Sequence, residues 1–340
     1  MTSYLRFLLA FLVLLSHIGI GVVGGFNLGV VAVVVFYILA GYVVNHLIFD
    51  VFQLHKKKCI LFYYFERILR IYPLYLFFLC LVLAFALITS YGNPEPDFCN
   101  LALNCLIVPL NFYMFINDCI IVFKALNPPN GWWLIPQAWS LGTELLAYFF
   151  LPFLLRFRKL KIVIYLVSFI IYNLANFGII NTDIWGYRLL PGVLFIFFMG
   201  AFLQNFISGR RDFTEVILLF ATYLICIIDI ILLYEKNTHY HYAIETLTGV
   251  VLGLPIVFIS KKLQLRLPLQ IIIGQLSYGI FLSHFLGIWF FQYLGIGRDP
   301  IKFTLFVFIF SLISSLIGIF FIEERVRKVR FKLSSLCKGA

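Results

Sequence analysis

Charged residues are scarce in this sequence. Asp, Glu, Lys and Arg together make up only 12% of the 340 residues, against about 25% in a typical soluble domain. Hydrophobic residues make up 63% of the chain, and the mean hydropathy is +1.01. Short charged stretches separate apolar runs of about 20 residues, the length at which an α-helix crosses a bilayer. The shortage of charge therefore excludes an ordinary soluble domain and predicts an all-α, polytopic membrane bundle.

Two further absences narrow the class of protein. The sequence lacks strand-length segments in which apolar and polar residues alternate, which argues against a closed transmembrane barrel. Its seven cysteines include no Cys-x-x-Cys motif and no Cys/His spacing typical of a metal site, so no metal is expected. Cys99 and Cys105 could form a disulfide if they lie on an oxidising side of the membrane.

Ten apolar runs are long enough to cross the membrane. The first is too long for the hydrophobic part of a signal peptide and has no small-residue cleavage site, so we expect it to be retained. No soluble domain or linker interrupts the series, which predicts one transmembrane domain over residues 1–340. The predicted spans are 4–24, 28–49, 72–90, 138–155, 162–180, 188–207, 213–234, 242–260, 271–293 and 302–322.

The apolar segment 99–124 is harder to place, because it contains Pro109, Asn111 and Asp118. If it does not cross and both termini are cytoplasmic, 21 Lys and Arg residues lie inside and five outside. A crossing would move the basic cluster 156–161 outside, against the positive-inside rule. We therefore predict that 99–124 is re-entrant or lies on the outer face. Because non-helical backbone at membrane depth needs protein or water around it, this segment is expected to roof a cavity.

The same distribution accounts for the net charge of +11. A strongly basic chain can bind nucleic acid, but these Lys and Arg residues form short clusters between the spans, as topology requires. No nucleic-acid partner is expected. The expected location is the bacterial cytoplasmic (inner) membrane, with both termini in the cytoplasm, and the sequence indicates no oligomeric state.

Ionisable residues inside the spans are the candidates for function, because burying one in hydrocarbon costs at least a few kcal/mol. Arg6 and His17 are eleven positions apart, which places them on one helix face and roughly 16 Å apart along it. Arginine suits a phosphate group, and histidine suits proton transfer. Arg6 alone could be a topology anchor and His17 alone a hydrogen-bonded core residue, so the functional interpretation depends on the pair.

Other candidates follow along the chain. Arg67 and Arg70, one turn apart, could clamp a multiply charged anion or only anchor the third span. Glu144 lies about 8 Å deeper than Trp139 in a span that enters from outside, where a carboxylate is expected to be functional. Glu323 is expected at the cytoplasmic edge, where it could hold an arginine in place or be ordinary juxtamembrane charge.

Taken in order, these motifs resemble those of the acyltransferase-3 family of integral membrane acyltransferases. Arg6 and His17 match the family's signature of an arginine, ten residues and a histidine. Ala40 replaces the serine usual in the second helix, and Arg325 stands where a proline is expected after Glu323. The remaining matches are Arg67 and Arg70 (Arg-x-x-Arg), Trp139, Ser140, Leu141 and Glu144 (Trp-Ser-Leu-x-x-Glu), and Ser277 and Tyr278 followed by His284.

The resemblance implies transfer of an acyl group, commonly acetyl from cytoplasmic acetyl-CoA, to a hydroxyl of a cell-surface or lipid-linked sugar. The expected partners are therefore acetyl-CoA, a carbohydrate acceptor and membrane lipid, without the soluble esterase-like domain that the family often carries. His17 would act as general base or as acyl-accepting nucleophile. The expected roles are catalysis by His17 and Glu144, donor binding by Arg6, Arg67 and Arg70, acceptor binding by Trp139, Ser140 and His284, and orientation by Glu323 and Tyr278.

Two other classes of protein remain open from the sequence. A proton-coupled transporter or flippase could use His17 and Glu144 as a relay. No inverted repeat or pair of broken helices supports that interpretation. A structural membrane subunit would use its polar residues only to join helices.

Overall fold

The structure is a computed structural model that describes residues 2–52, 57–126, 131–236, 240–263, 267–297 and 299–338. Within these ranges the chain is mostly helical, with one two-stranded antiparallel hairpin, β1 (Val22–Val23) and β2 (Phe26–Asn27). The α-helices are α1 (Thr2–His17), α2 (Leu28–His46), α3 (Lys57–Thr89), α4 (Phe98–Leu106), α5 (Tyr113–Ile120), α6 (Trp139–Leu154), α7 (Arg158–Asn176), α8 (Leu190–Ile207), α9 (Phe213–Glu235), α10 (Ala243–Lys262), α11 (Gln270–Tyr293), α12 (Pro300–Gly318) and α13 (Glu324–Lys338). Short π-helices lie at Leu47–Val51, Thr182–Arg188 and Ile319–Glu323, and 3₁₀-helices at Val108–Phe112 and Pro136–Ala138.

The predicted all-α membrane bundle is confirmed. Among the described residues, eight helices are long and apolar enough to cross a membrane. The other two predicted spans correspond to α1 and α6, which have 16 residues each. Each of the ten predicted spans therefore coincides with a helix.

The first span is shorter than predicted. We expected a span over 4–24 with His17 about halfway along it, but α1 ends at His17 and the chain turns into the β1–β2 hairpin. Gly19, Gly24 and Gly25 have positive φ in these turns, a conformation that only glycine adopts without steric cost. His17 is therefore the last residue of its helix.

The third span also begins earlier than predicted. Helix α3 starts at Lys57 and continues through Pro73, so Arg67 and Arg70 lie within it rather than before it. Both arginines consequently point into the bundle from a continuous helix.

The centre of the bundle is built on the close approach of α2 and α8. A Cβ at Gly41 would lie 1.8 Å from the carbonyl oxygen of Phe197, and one at Gly200 would lie 2.0 Å from that of Ile38. Glycine lets two helix backbones approach this closely. Helices α1, α6 and α10 pack against this pair. Residues of α1, α2, α6 and α11 provide walls of two cavities.

Segment 99–124 is sharply bent. Helix α4 and the helical segment Val108–Ile120, which contains α5, meet at an angle of 98°. Ile107, at the bend, has φ 63°. Asn100 and Asn104 donate to the buried backbone carbonyls of Ile121 and Ile120, which lie where the helix ends. The bend agrees with a segment that does not cross as one straight helix.

Cys99 and Cys105 are both free thiols.

Candidate functional site

Two cavities lie along α1, one at each end. The large cavity, about 480 Å³, is lined by Arg6 from the first turns of α1. The small cavity, about 70 Å³, is lined by His17 at the last residue of α1. Val33, Ser140 and Phe281 line both cavities. Residues of one helix thus reach two compartments that share a wall, and we call that wall the junction.

The large cavity is rich in arginine. Its charged lining residues are Arg6 from α1, Glu66, Arg67 and Arg70 from α3, Glu144 from α6, Glu323 at the end of the last π-helix, and Arg327 and Arg330 from α13. Five arginines face three carboxylates, so the lining has an excess of positive charge. Such a cavity favours an anionic ligand.

Three of these arginines are held by ion pairs. Arg67 Nε donates to Glu66 at 2.6 Å, and Arg330 Nη2 donates to the other oxygen of Glu66 at 2.7 Å. Arg70 Nη1 donates to Glu323 at 2.7 Å. The guanidinium forks are fixed in position, and part of their charge is neutralised within the protein.

The other two arginines are not neutralised in this way. Within the described ranges, no carboxylate is placed in an ion pair with Arg6 or Arg327. Glu144 lines the same cavity and accepts a hydrogen bond from the hydroxyl of Tyr148. Arg6 and Arg327 are therefore the arginines most available to a bound anion.

His17 contacts a second histidine at the small cavity. The His17 side chain is exposed within the small cavity, whereas His284 is completely buried behind it. His284 Nε2 lies 3.1 Å from His17 Nδ1. His284 Nδ1 lies 3.2 Å from the carbonyl of Ile280, and His17 Nδ1 lies 3.0 Å from the carbonyl of Val13.

These distances assign the protons of the neutral pair. A carbonyl oxygen only accepts, so His284 Nδ1 must donate to Ile280, which leaves His284 Nε2 as an acceptor. His17 Nδ1 then carries a proton, shared between His284 and Val13. The Nε2 atom of His17 is left without a proton, which is the form required of a base or nucleophile.

The wall of the small cavity combines aromatic rings with polar groups. The guanidinium of Arg188 lies 4.4 Å from the ring centroid of Trp139, and its Nε lies 2.9 Å from both oxygens of Asp183. Gln137 donates to the carbonyls of Phe281 and Leu282. Its buried Oε1 has no hydrogen-bond partner among the described residues. The cavity therefore offers a fixed cation and an unused acceptor near His17.

Segment 99–124 lines neither cavity, so the expectation that it roofs them is wrong. Instead it supports Arg188 from behind. Asn111 donates to the backbone carbonyl of Arg188 at 3.1 Å, and the ring of Tyr113 lies 5.2 Å from the guanidinium. The polar residues that made this segment hard to place thus hold part of the small cavity.

Of the predicted site residues, only His284 lines neither cavity. Glu144 was expected near the outer face with Trp139, but it lines the large cavity with the arginines. Tyr278 lies beside Arg70, with its ring 5.5 Å from the guanidinium, and donates to the carbonyl of Ile71. Ser140 lies at the junction and donates to the carbonyl of Gln137.

Sequence reasoning missed Glu66, Gln137, Arg188, Arg327 and Arg330. The three basic residues had been explained by topology alone. For Arg188 a signal was present, because it is one of only five basic residues counted on the outer side. For Gln137 and Glu66 the sequence offers no comparable signal, since their significance comes from tertiary contacts.

Comparison with known families identifies the family of this chain. A model of the acyltransferase-3 family, described as an acyltransferase domain, matches residues 3–323. The chain belongs to this family. An uncharacterized protein of Aquifex aeolicus (strain VF5) is 39% identical over 222 residues, which is 65% of this chain and the whole of that relative. No solved structure gives a significant match.

Family membership makes the chain a membrane acyltransferase. The match includes every residue of the small cavity and ends at Glu323, before α13. Arg327 and Arg330 therefore come from outside the matched region. Among the described residues, no three His, Cys, Asp or Glu side chains lie close enough together to hold a metal ion.

Proposed function

We propose that this membrane acyltransferase takes an acetyl group from acetyl-CoA in the large cavity and transfers it to a sugar hydroxyl in the small cavity. The observation that supports this most is the junction, where Val33, Ser140 and Phe281 line both cavities beside His17. Two substrates that enter from opposite ends of α1 could meet there.

The large cavity suits the donor. Its volume of about 480 Å³ is within the range of roughly 300–1,000 Å³ usual for small-molecule sites. Its arginines suit the phosphates of CoA. The distance from Arg6 to His17, roughly 16 Å along the helix, is comparable with an extended pantetheine arm. Phosphates near Arg6 would then place the thioester at the junction.

The proposed chemistry begins from the unprotonated Nε2 of His17. As a general base, Nε2 takes the proton of the sugar hydroxyl while the hydroxyl oxygen attacks the thioester carbonyl. The new C–O bond forms, the C–S bond breaks, and the departing CoA thiolate takes the proton from the imidazolium. As a nucleophile, Nε2 would instead attack the thioester carbonyl, so that an N–C bond forms, the C–S bond breaks and the CoA thiolate leaves. The hydroxyl oxygen would then take the acetyl group as the N–C bond breaks, and its proton would pass to the thiolate.

The remaining residues would hold the reactants. Arg188, fixed by Asp183 and Trp139, would donate to the acceptor or to the developing oxyanion. Gln137 Oε1 would accept a hydrogen bond from the acceptor. In the large cavity, Glu144 would contact the donor near its reactive end. The chain would lie in the bacterial inner membrane with both termini in the cytoplasm, the compartment that would supply acetyl-CoA.

The test is acetyl transfer by the purified chain from acetyl-CoA that carries a labelled acetyl group. The label follows the acetyl group to the acceptor, and the release of the CoA thiol gives the rate. His17→Ala is expected to lower the rate by at least about 10²-fold while the protein inserts and purifies normally. Full activity of this variant would overturn the role of His17. NMR of surface polysaccharide from cells with and without the gene would detect the missing acetyl ester.

A transporter would behave differently in the same assay. It would bind or move a glycan without releasing CoA thiol, and the His17 substitution would leave thiol release at its background rate. Absence of thiol release by the unmodified chain, with every candidate acceptor class supplied, would therefore contradict the donor assignment.

A further inference from the structure

We propose that α13 completes the donor site, and that Arg327 binds the 3′-phosphate of CoA. This inference rests on the proposed function. It concerns a helix that lies beyond the region matched by the family model.

The first step is the position of α13. Arg330 donates to Glu66 on α3 at 2.9 and 2.7 Å and approaches Glu323 at 3.4 Å. These contacts tie the helix to the rim of the large cavity. Arg327 lies three positions earlier on the helix, so it shares a face with Arg330, and both line the cavity.

The second step is charge. Glu66 and Glu323 form ion pairs with Arg67, Arg70 and Arg330 and so neutralise part of the charge of these arginines. Arg327 is half-buried, lines the cavity and has no ion-pair partner among the described side chains. An arginine held at a cavity wall with its charge uncompensated is suited to a phosphate.

The third step is depth. Glu323 pairs with Arg70, and Arg327 follows it by four positions, about 6 Å further toward the chain end. Arg6 lies on α1, the helix that ends with His17 in the small cavity, whereas no described residue of α13 lines that cavity. With the thioester at His17, the pantetheine arm leads first to the pyrophosphate and then to the ribose, which carries the 3′-phosphate, the phosphate furthest from the thioester. Arg6 therefore fits the pyrophosphate and Arg327 fits the 3′-phosphate.

The prediction is tested with CoA and dephospho-CoA, which lacks only the 3′-phosphate. The full-length chain in detergent is expected to bind CoA about tenfold more tightly than dephospho-CoA. Arg327→Ala is expected to weaken CoA binding about tenfold and to leave dephospho-CoA binding within about twofold. The matched control is Arg325→Ala, because Arg325 is exposed on the same helix and does not line the cavity.

The outcomes separate the two proposals. A chain that binds neither CoA nor dephospho-CoA would overturn the donor assignment, and this inference with it. A chain that binds CoA, but whose Arg327→Ala variant keeps the preference over dephospho-CoA, would overturn the role of Arg327 alone. Equal weakening of both ligands would also overturn it, since that result indicates a structural role. Arg327→Lys is expected to restore part of the preference, because it restores the charge.

Discussion

His284 illustrates how a single buried residue can act without touching a substrate. It is completely buried and lines neither cavity, yet its Nε2 lies 3.1 Å from His17 Nδ1. Its Nδ1 is occupied by the carbonyl of Ile280. Because this arrangement keeps the proton of His17 on Nδ1, His284 is best regarded as a positioning residue for the reactive Nε2.

Replacing His284 should therefore impair the chemical step. His284→Ala is expected to lower kcat by about 10²-fold, with the donor KM changed by less than about twofold, since donor contacts remain. His284→Gln should recover part of the activity, because its amide oxygen can accept from His17 Nδ1. Steady-state kinetics in detergent would measure both effects.

Ser283→Ala is the matched control for these variants. Ser283 is equally buried and adjacent, but its hydroxyl bonds to the carbonyl of Gly279 rather than to His17. Near-normal kcat in His284→Ala would show that His17 keeps its tautomer without help. A rise in donor KM alone would indicate that His284 shapes the cavity instead.

At the scale of helices, the site depends on how closely α2 and α8 approach. Helix α2 contributes Val33 and Tyr37 to the large cavity, and α8 follows directly after the π-helix that carries Arg188. Any change in the α2–α8 distance therefore moves one wall of each cavity. Gly41 and Gly200 set that distance, because a side chain at either position would meet backbone of the other helix.

Gly200→Ala is accordingly expected to destabilise the bundle. Its Cβ would lie 2.0 Å from the carbonyl oxygen of Ile38, and relief of such overpacking typically costs about 1–3 kcal/mol. Thermal unfolding in detergent should show a lower midpoint than for the unmodified chain. Gly297→Ala is the control, because a Cβ there meets no atom within 4 Å. Equal midpoints for the two variants would mean that α2 and α8 can separate freely.

The helices were largely predictable from sequence, because the length of an apolar run is set by the bilayer. The end of α1 at His17 was not, since hydropathy does not distinguish a helix from the glycine turns that follow it. The spacing of Arg6 and His17 predicted that they lie on one helix, but not that each of them lines a different cavity. The sequence suggested that Glu323 could hold an arginine, and Arg70 is that partner. The ion pair of Glu66 with Arg330 could not be foreseen, because it joins residues 264 positions apart.

For the whole molecule, the proposed function requires that the large cavity open toward the cytoplasm. Arg6 and α13 line the large cavity, so both ends of the described chain lie at that end of the bundle. Under the proposed function, a donor made in the cytoplasm would enter there. The small cavity would then open toward the other side, which is the orientation that the positive-inside count of 21 to five predicts.

Cysteine labelling would test this orientation directly. The native cysteines are first replaced, and a single cysteine is then introduced. Arg325→Cys shows on which side of the membrane α13 lies, and Asp118→Cys shows this for the bent segment. Both positions are exposed. A membrane-impermeant maleimide should label Asp118→Cys in intact cells, and Arg325→Cys only after permeabilisation. Seven predicted spans separate the two positions, so labelling of both in intact cells would place them on one side and mean that one of these seven spans does not cross the membrane. The reverse pattern would turn the large cavity away from the cytoplasm, where acetyl-CoA could not reach its arginines.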